Sequence, residues 1–323
     1  MRVAELCAGY GGLSQGLKLA GVDASVEWFA EIDEAPARVV QHHHPGIPNL
    51  GDLTEIVDPP EADIVTAGFP CQSVSVAGRR KGIEDERWLI DDVCRVARAS
   101  GARWLFLENV PGLLTANDGF AMARVCAAMA REGFSRWEWG TFRAWDVGAC
   151  HIRRRWFCIA TNPSSVGREP WPGLGESEQA EQWRNGSGDD NREIDLISLP
   201  TPAAGNPNDG EDPDQWLARH EYHATRTDQE PTRSGLPLSI ATQINWEQFL
   251  SAVVRQERAF NRIAPDRRVG GRLSPVFVEW MMGLTEGRVT APEIGLTRAQ
   301  QLKTLGNGVV PQQAARAILE LCR

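Results

Sequence analysis

Short apolar runs alternate with amphipathic segments along the first half of the chain. Apolar runs flanked by turn residues are typical of parallel strands that are buried on both faces. We predict strands at 3–7, 24–30, 63–67, 104–107, 136–143 and 156–161. Helical periodicity predicts helices at 13–20, 35–42, 86–99 and 120–131. This alternation predicts an α/β fold with a doubly wound, mostly parallel sheet.

The pattern changes at Asn162-Pro163. From there to about residue 272 the chain is rich in Gly, Pro, Asn, Asp, Glu, Ser and Trp, with few periodic segments. A structureless loop of this length is not expected inside a compact domain. Helical patterns return at 275–282, 297–302 and 311–321. We therefore predict a large domain, a smaller loop-rich domain and a C-terminal segment that returns to the large domain, at 1–161, 162–272 and 273–323.

The composition, with 42% apolar and 24% charged residues in 323, is that of a globular protein. No apolar run is long enough to cross a bilayer and no signal peptide follows Met1, so we expect no membrane partner. The seven cysteines are odd in number and lack CxxC spacing. That argues against a disulfide framework and against structural zinc, so we expect a reducing compartment inside the cell and no metal.

The net charge of −9 argues against binding of nucleic acid by bulk electrostatics. A polyanion must then be held by local basic clusters, which are otherwise only solvated surface. The clusters are Arg79-Arg80-Lys81, Arg153-Arg154-Arg155 and the arginines between 262 and 272.

Three glycines follow the first predicted strand, in Ala8-Gly9-Tyr10-Gly11-Gly12. Such a turn lets the backbone pass close to a ligand and presents N–H groups at a helix N-terminus. Glu31 ends the second strand about 20 residues later, where an acid typically binds ribose hydroxyls. Asp52 follows Gly51 and could accept from an adenine amino group. Because the turn lacks the lysine of a phosphate-binding loop, the pattern predicts an adenosine pocket without a phosphate site.

A cysteine follows the third strand, in Gly68-Phe69-Pro70-Cys71-Gln72-Ser73. Open α/β sheets bind ligands at the carboxyl ends of their strands. Pro70 stops the strand and stiffens the backbone. The polar loop from Ser73 to Gly82 is predicted to move over a substrate. The peptide alone leaves two interpretations open, a reactive thiol and a buried structural cysteine.

Further polar groups lie beside the later strands. Glu108 follows four apolar residues, so desolvation favours its protonated form, which suits a hydrogen-bond donor to a base; a surface loop acid is the alternative. His151-Ile152-Arg153-Arg154-Arg155 precedes the last strand. If this segment is extended, Arg153 and Arg155 share a face and can hold a base carbonyl or a phosphate.

The order of these motifs resembles that of the cytosine-C5 DNA methyltransferases of bacteria and phages. The match spans the chain except for about 162–272, where this family varies and reads its target. The shared segments are 7–12, 29–33, 51–53, 68–78, 108–110, 151–155, 273–283 and 305–312. Eight motifs in family order are a highly specific signal.

The resemblance implies a Rossmann-like methyltransferase fold with S-adenosylmethionine as cofactor and a target-recognition domain. It implies that Cys71 attacks C6 of a flipped-out cytosine in duplex DNA, which activates C5 toward the methyl group. Glu108 would hydrogen-bond and protonate N3, while Arg153 and Arg155 hold the base and the thiolate side. The residues that it implies for cofactor binding are Cys7, Gly9, Tyr10, Gly11, Gly12, Glu31, Ile32, Asp52, Pro70, Asn307 and Val309.

One departure from the family pattern concerns the cofactor. The family usually has an aromatic residue before the glycine turn that stacks on adenine, whereas this chain has Cys7. We therefore expect weaker stacking, or a substitute such as Ile32.

The partner expected from the resemblance is double-stranded DNA, bound by a monomer in the cytoplasm of a bacterial cell or a phage-infected host. A cognate restriction endonuclease stays an open question. Two other functions stay open as well, methylation of tRNA and DNA binding by a catalytically inactive relative. The intact set of Cys71, Glu108, Arg153 and Arg155 argues against the inactive relative.

Overall fold

The computed structural model describes residues 1–70, 88–163, 198–204, 211–216, 218, 236–244 and 246–322. Cys71 and the loop from Ser73 to Gly82, which contains the basic cluster Arg79-Arg80-Lys81, lie outside these ranges. So do residues 164–197 of the predicted recognition domain.

Among the described residues, a six-stranded sheet has the strand order β2-β1-β3-β4-β6-β5. Its strands are β1 (Arg2–Leu6), β2 (Ser25–Ala30), β3 (Ile64–Gly68), β4 (Trp104–Asn109), β5 (Arg136–Arg143) and β6 (Arg154–Thr161). The strand β1 pairs in parallel with β2 and β3, and β3 pairs in parallel with β4. The strand β6 runs antiparallel to both β4 and β5. The prediction of a mostly parallel α/β sheet is confirmed.

Helices connect and follow these strands. They are α1 (Gly12–Leu19), α2 (Glu34–His43), α3 (Ile90–Ala99), α4 (Phe120–Arg131), α5 (Leu238–Ala241), α6 (Leu250–Phe260), α7 (Pro275–Met281), α8 (Arg298–Asn307) and α9 (Pro311–Leu321), and a small hairpin consists of β7 (Arg268–Val269) and β8 (Arg272–Leu273). Those predicted from periodicity in the first half lie within a few residues of the predicted bounds. The expected start of α3 before Trp88 lies outside the described ranges.

Two helices differ from the prediction, each for a physical reason. The helix α8 extends to Asn307 through Gly306, where the sequence pattern predicted an earlier end. A Cβ at Gly306 would lie 2.2 Å from the carbonyl carbon of Ala203, so this glycine permits a close approach and does not stop the helix. The helix α6 was not predicted, because it buries the polar Gln256 and exposes the apolar Leu250.

The described chain divides into two compact units. Unit 1 lies within Met1–Arg143, Arg154–Gly186 and Val309–Arg323, and unit 2 lies within Ala144–Arg153 and Ser187–Gly308. These bounds differ from the predicted domains, because 144–153 and 273–308 both lie in unit 2. Buried polar contacts hold the first of these segments. The Gln256 amide accepts from the Cys150 N–H at 2.8 Å and donates to the Trp280 carbonyl at 2.5 Å.

A buried carboxylate organises the segment that follows α7. The Glu279 side chain is fully buried, and its oxygens accept four hydrogen bonds of 2.6 to 3.0 Å. The donors are the N–H groups of Gly287, Val289 and Thr290 and the hydroxyl of Thr290. The carboxylate therefore satisfies donors that would otherwise be buried without an acceptor.

Replacement of this carboxylate should destabilise the fold. We expect Glu279→Leu to lower the free energy of unfolding by about 3 kcal/mol, because it strands buried N–H donors. Urea denaturation measures the change. Glu293→Gln in the exposed part of a 3₁₀ helix (Pro292–Ile294) should alter the free energy of unfolding by less than about 0.5 kcal/mol. Wild-type stability in Glu279→Leu would contradict the role assigned to the carboxylate.

Candidate active site

The candidate site lies at the carboxyl edge of the parallel strands in unit 1. Because β1, β2, β3 and β4 run in the same direction, the segments that follow them begin at one edge of the sheet. The glycine turn follows β1, Glu31 follows β2 and Pro70 follows β3, whereas Glu108 lies within the last part of β4. This edge therefore gathers the sequence-predicted residues of unit 1.

The glycine turn is packed against the segment that precedes α9. A Cβ at Gly12 would lie 2.7 Å from the carbonyl oxygen of Val309, so a larger residue would push the two apart. The buried Tyr10 hydroxyl donates to the same oxygen at 2.7 Å. The Tyr10 side chain is thus used in packing, and only its backbone is left for a ligand. Gly11 has a φ of 79°, which favours glycine at this point of the turn.

A carboxylate of the protein occupies the N-terminus of α1. The buried Glu5 side chain accepts from the N–H groups of Leu13 at 3.1 Å and Ser14 at 3.2 Å. A helix N-terminus attracts anions, and here the attraction is already satisfied by an acidic side chain. A ligand phosphate at this position would be repelled. The signal in the sequence was a charged residue within an apolar strand, and its role was not predicted.

Glu31 is fixed against the glycine turn. Its Oε2 accepts from the Gly9 N–H at 2.9 Å, and its Oε1 accepts from the Asp33 N–H at 2.8 Å. Burial raises the pKa of the Glu31 carboxyl, and the N–H groups partly offset the effect. The carboxyl group is therefore held in one place, close to the backbone of the turn, where it can accept from the hydroxyls of a ligand.

Asp52 begins a short 3₁₀ helix (Leu53–Glu55) beside the same edge. Its Oδ1 accepts from the N–H of Thr54 at 2.9 Å and from the hydroxyl of Thr54 at 2.8 Å. These bonds lower the pKa of the Asp52 carboxyl, so the group is charged at neutral pH. Because Thr54 uses Oδ1, Oδ2 is the oxygen best placed to accept from a ligand amino group.

Both of these carboxyl groups affect the pKa of the Cys7 thiol. Burial, together with the charges of Glu31 and Asp52, raises the pKa of Cys7 to about 12. Cys7 is therefore a neutral, apolar group between the two acids at neutral pH, which leaves no aromatic ring at this position. The Ile32 side chain is 74% exposed and can lie against a planar ligand.

The reactivity of the cysteines follows from these environments. Burial raises the pKa of Cys94, Cys150 and Cys158 as well as that of Cys7. Because the thiolate is the reactive form, we expect iodoacetamide at about pH 7.5 to leave these four unlabelled in the folded protein. Peptide mass spectrometry should find the label on Cys71 instead, and on all seven cysteines after unfolding. Rapid labelling of Cys7 in the folded state would contradict its assigned environment.

Glu108 and Arg155 form an ion pair at the end of the site. The Arg155 Nε lies 3.0 Å from Glu108 Oε1, and both side chains are largely buried. A Cβ at Gly68, opposite Glu108 in the sheet, would lie 3.3 Å from Glu108 Oε2. The predicted desolvation of Glu108 is present, but the guanidinium opposes its effect because it stabilises the charged carboxylate. The pair can place both a carboxyl group and a cation next to a bound base.

The Asn109 side chain holds the backbone just after β3, where the chain leads to Cys71. Its Nδ2 donates to the carbonyl of Phe69 at 3.0 Å, and its Oδ1 accepts from the Val110 N–H at 2.8 Å. Phe69 and Asn109 are both buried, whereas Pro70 is half-buried. The backbone two residues before Cys71 is therefore anchored to β4.

The expectation that Arg153 and Arg155 share a face was wrong. The strand β6 begins at Arg154, and Arg153 has a φ of 31°, so the alternation of an extended segment does not reach it. The Arg153 side chain is 2% exposed and lies in unit 2, whereas Arg155 lies in unit 1. The Arg153 guanidinium donates to the carbonyl groups of Pro202, Gly306 and Gly308. In this structure the Arg153 guanidinium is therefore bonded to backbone carbonyl groups.

The remaining predicted residue is Asn307. It lies in unit 2, exposed at the end of α8, two residues before Val309 of unit 1.

The described helices include none that is long and apolar enough to cross a membrane. Within the described ranges, no group of three His, Cys, Asp or Glu side chains is arranged to hold a metal ion.

Comparison with proteins of known sequence gives consistent results. Residues 1–275 match the family model described as C-5 cytosine-specific DNA methylase. Type II methyltransferase M2.BsuMI of Bacillus subtilis is 32% identical over 50% of this chain and 42% of its own length. Type II methyltransferase M.CviJI of Paramecium bursaria Chlorella virus IL3A is 35% identical over 49% of this chain and 42% of its own length. The chain thus spans less than half of these two relatives.

Comparison with solved structures supports the fold. The S. pombe Dnmt2 methyltransferase superposes with a TM-score of 0.58 and 16% identity, covering 99% of this chain and 98% of its own. The Entamoeba histolytica methyltransferase EhMeth gives a TM-score of 0.56 at 14% identity, covering 99% and 97%. The family model covers most of the chain, including the glycine turn, Glu31, Glu108 and Arg155. The chain therefore belongs to the C-5 cytosine-specific DNA methylase family.

Proposed function

We propose that the chain transfers a methyl group to C5 of a cytosine in duplex DNA. The observation that carries the proposal is the buried ion pair of Glu108 and Arg155, beside the strand that leads to Cys71. A cytosine ring needs a hydrogen-bonding acid at one edge and a nucleophile at C6. Glu108 provides the acid at this edge of the sheet, and Cys71 follows Pro70 in the sequence. The motif around Cys71 supplies the second half of the argument.

The cofactor of this family is S-adenosylmethionine, and the residues of unit 1 fit its adenosine part. Glu31 would accept from the ribose hydroxyls, and Asp52 would accept from the adenine amino group. Glu5 at the N-terminus of α1 disfavours a phosphate, which this cofactor lacks. When bound, the cofactor supplies an electrophilic methyl group.

The residues of the chain prepare the base. C5 of cytosine is a poor nucleophile until a thiolate adds at C6 and gives the ring enamine character. The thiolate of Cys71 forms the bond to C6, and the displaced ring electrons are taken up at N3. There the protonated form of Glu108, in equilibrium with the ion-paired carboxylate, donates a proton. Arg155 holds the Glu108 carboxyl group and the base in position relative to each other. After methyl transfer the N3 proton returns to the Glu108 carboxylate. A base removes the C5 proton, and that electron pair re-forms the C5–C6 double bond as the Cys71 thiolate leaves.

The cytosine must leave the duplex for this chemistry, because its ring atoms are not accessible in the stacked helix. The loop from Ser73 to Gly82 would close behind the flipped base and exclude water. We assign Arg153 a positioning role, because its guanidinium holds the carbonyl groups before Val309. Target reading is assigned to 162–272, and the active species to a monomer in the cytoplasm.

Methyl transfer from labelled cofactor tests the proposal. Wild-type protein is incubated with long duplex DNA of mixed sequence and, separately, with tRNA; bisulfite sequencing then locates any 5-methylcytosine. We expect label in duplex DNA, at cytosines within one sequence context. Label in tRNA alone would show that the substrate is RNA and not DNA. Cofactor binding without transfer to either would identify an inactive relative.

A further inference from the structure

Asn49 connects the two acidic residues of the proposed adenosine pocket. Its Oδ1 accepts from the Glu31 N–H at 2.9 Å and from the Gly51 N–H at 3.2 Å. Its Nδ2 donates to the Glu31 carbonyl at 3.0 Å. All three bonds require the oxygen and the nitrogen of the amide as placed, because a flipped amide would direct N–H groups at N–H groups.

The Asn49 amide continues a short parallel pairing of the backbone. The Phe29 N–H donates to the Pro48 carbonyl at 2.9 Å, and the Leu50 N–H donates to the Phe29 carbonyl at 2.8 Å. Phe29 and Asn49 form the bridge of this pairing. Beyond Phe29 the backbone bonds end, and the side chain of Asn49 supplies the acceptor and the donor for Glu31. The end of β2 is thereby fixed to the segment before Asp52.

The chain turns immediately after this contact. Gly51 has a φ of 72°, in the left-handed region that favours glycine, and the turn brings the chain to Asp52. The Gly51 N–H is held by the same Oδ1 that holds Glu31. The Asn49 side chain therefore links the backbone at Glu31 to the backbone that leads into Asp52, in addition to the pairing at Phe29.

We propose that Asn49 is a positioning residue that sets the spacing between Glu31 and Asp52 and so the affinity for the nucleoside part of the cofactor. The inference rests on the proposed adenosine pocket. The ribose hydroxyls and the amino group lie at opposite ends of adenosine, so one molecule can bond to both carboxyl groups only if their spacing is set. Small misplacements of such groups cost affinity, because binding must then also order the two segments.

Calorimetry with S-adenosylhomocysteine and with adenosine tests the role. We expect Asn49→Ala to weaken both ligands by the same factor, about ten- to a hundredfold, since both contain the nucleoside. In methyl transfer, KM for the cofactor should rise while kcat at saturating cofactor stays near the wild-type value. Gln41→Ala removes an exposed amide from α2 and should change neither quantity.

Asn49→Asp provides a variant that keeps the side-chain shape and the acceptor for both N–H groups. It loses the donor to the Glu31 carbonyl and places a carboxylate oxygen against it, so its affinity should also fall below that of the wild type. Wild-type affinity in whichever of the two variants folds would overturn the inference, as would a fall in kcat with unchanged KM. A wild-type protein that binds neither ligand would instead contradict the proposed function.

Discussion

Cys71→Ser is expected to abolish methyl transfer and to leave cofactor binding intact. A serine hydroxyl ionises far less readily than a thiol, so it does not add to C6 of the cytosine at neutral pH. Removing the nucleophile of a catalytic set typically costs about 10⁴-fold or more in kcat. Transfer of labelled methyl groups to DNA measures the loss, and calorimetry with S-adenosylhomocysteine measures binding.

The control for this substitution is Cys126→Ser on α4. Cys126 is half-buried in the middle of α4 and is not among the predicted site residues, so we expect near wild-type turnover. Appreciable turnover in Cys71→Ser would remove Cys71 as the nucleophile. Loss of turnover in both variants together with loss of cofactor binding would show a fold defect.

Glu108→Gln is expected to lower kcat by about 10²- to 10⁴-fold, the range for a lost general acid. The glutamine amide can still bond to the base, but it cannot donate a proton to N3 as charge develops there. The substitution also removes the charge that pairs with Arg155. Gly68, which lies opposite in the sheet, leaves room for the amide. KM for the cofactor should not change, because Glu31 and Asp52 lie on other segments.

Glu138→Gln is the matched control, since Glu138 is an exposed acid on β5. We expect its kcat to equal that of the wild type. Single-turnover rates across pH distinguish a chemical role from a packing role, because only the loss of an acid flattens the pH profile. A Glu108→Gln variant with wild-type kcat would show that the ion pair serves the fold alone.

The sheet and the residues at its carboxyl edge could be predicted because the sequence patterns that indicate them are local. Buried parallel strands are continuous apolar runs, and each strand end fixes where the next polar residue lies. The glycine turn, Glu31 and Asp52 were located in this way, and the structure brings them to one edge. The charged Glu5 within an apolar run was visible too, but its partners on α1 were not.

Arg153 and Asn49 could not be predicted because their roles depend on contacts distant in sequence. Alternation along a strand assumed an extended backbone, whereas Arg153 has a positive φ and bonds to carbonyls about 150 residues away. Asn49 lies in an irregular segment, where no periodicity identifies a side chain that bonds to a strand end. The helix α6 escaped prediction because its buried face contains Gln256.

The central claim is a covalent bond between Cys71 and C6 of a cytosine in duplex DNA. Duplex DNA that contains 5-fluorocytosine tests it most directly, because a fluorine at C5 cannot leave as a proton does and the adduct persists. The protein is incubated with this DNA and labelled S-adenosylmethionine, and the products are separated under denaturing conditions. We predict a labelled protein–DNA adduct whose peptide contains Cys71, and no adduct with Cys71→Ser. No adduct from a wild-type protein that binds the cofactor, or an adduct at another residue, would contradict the account.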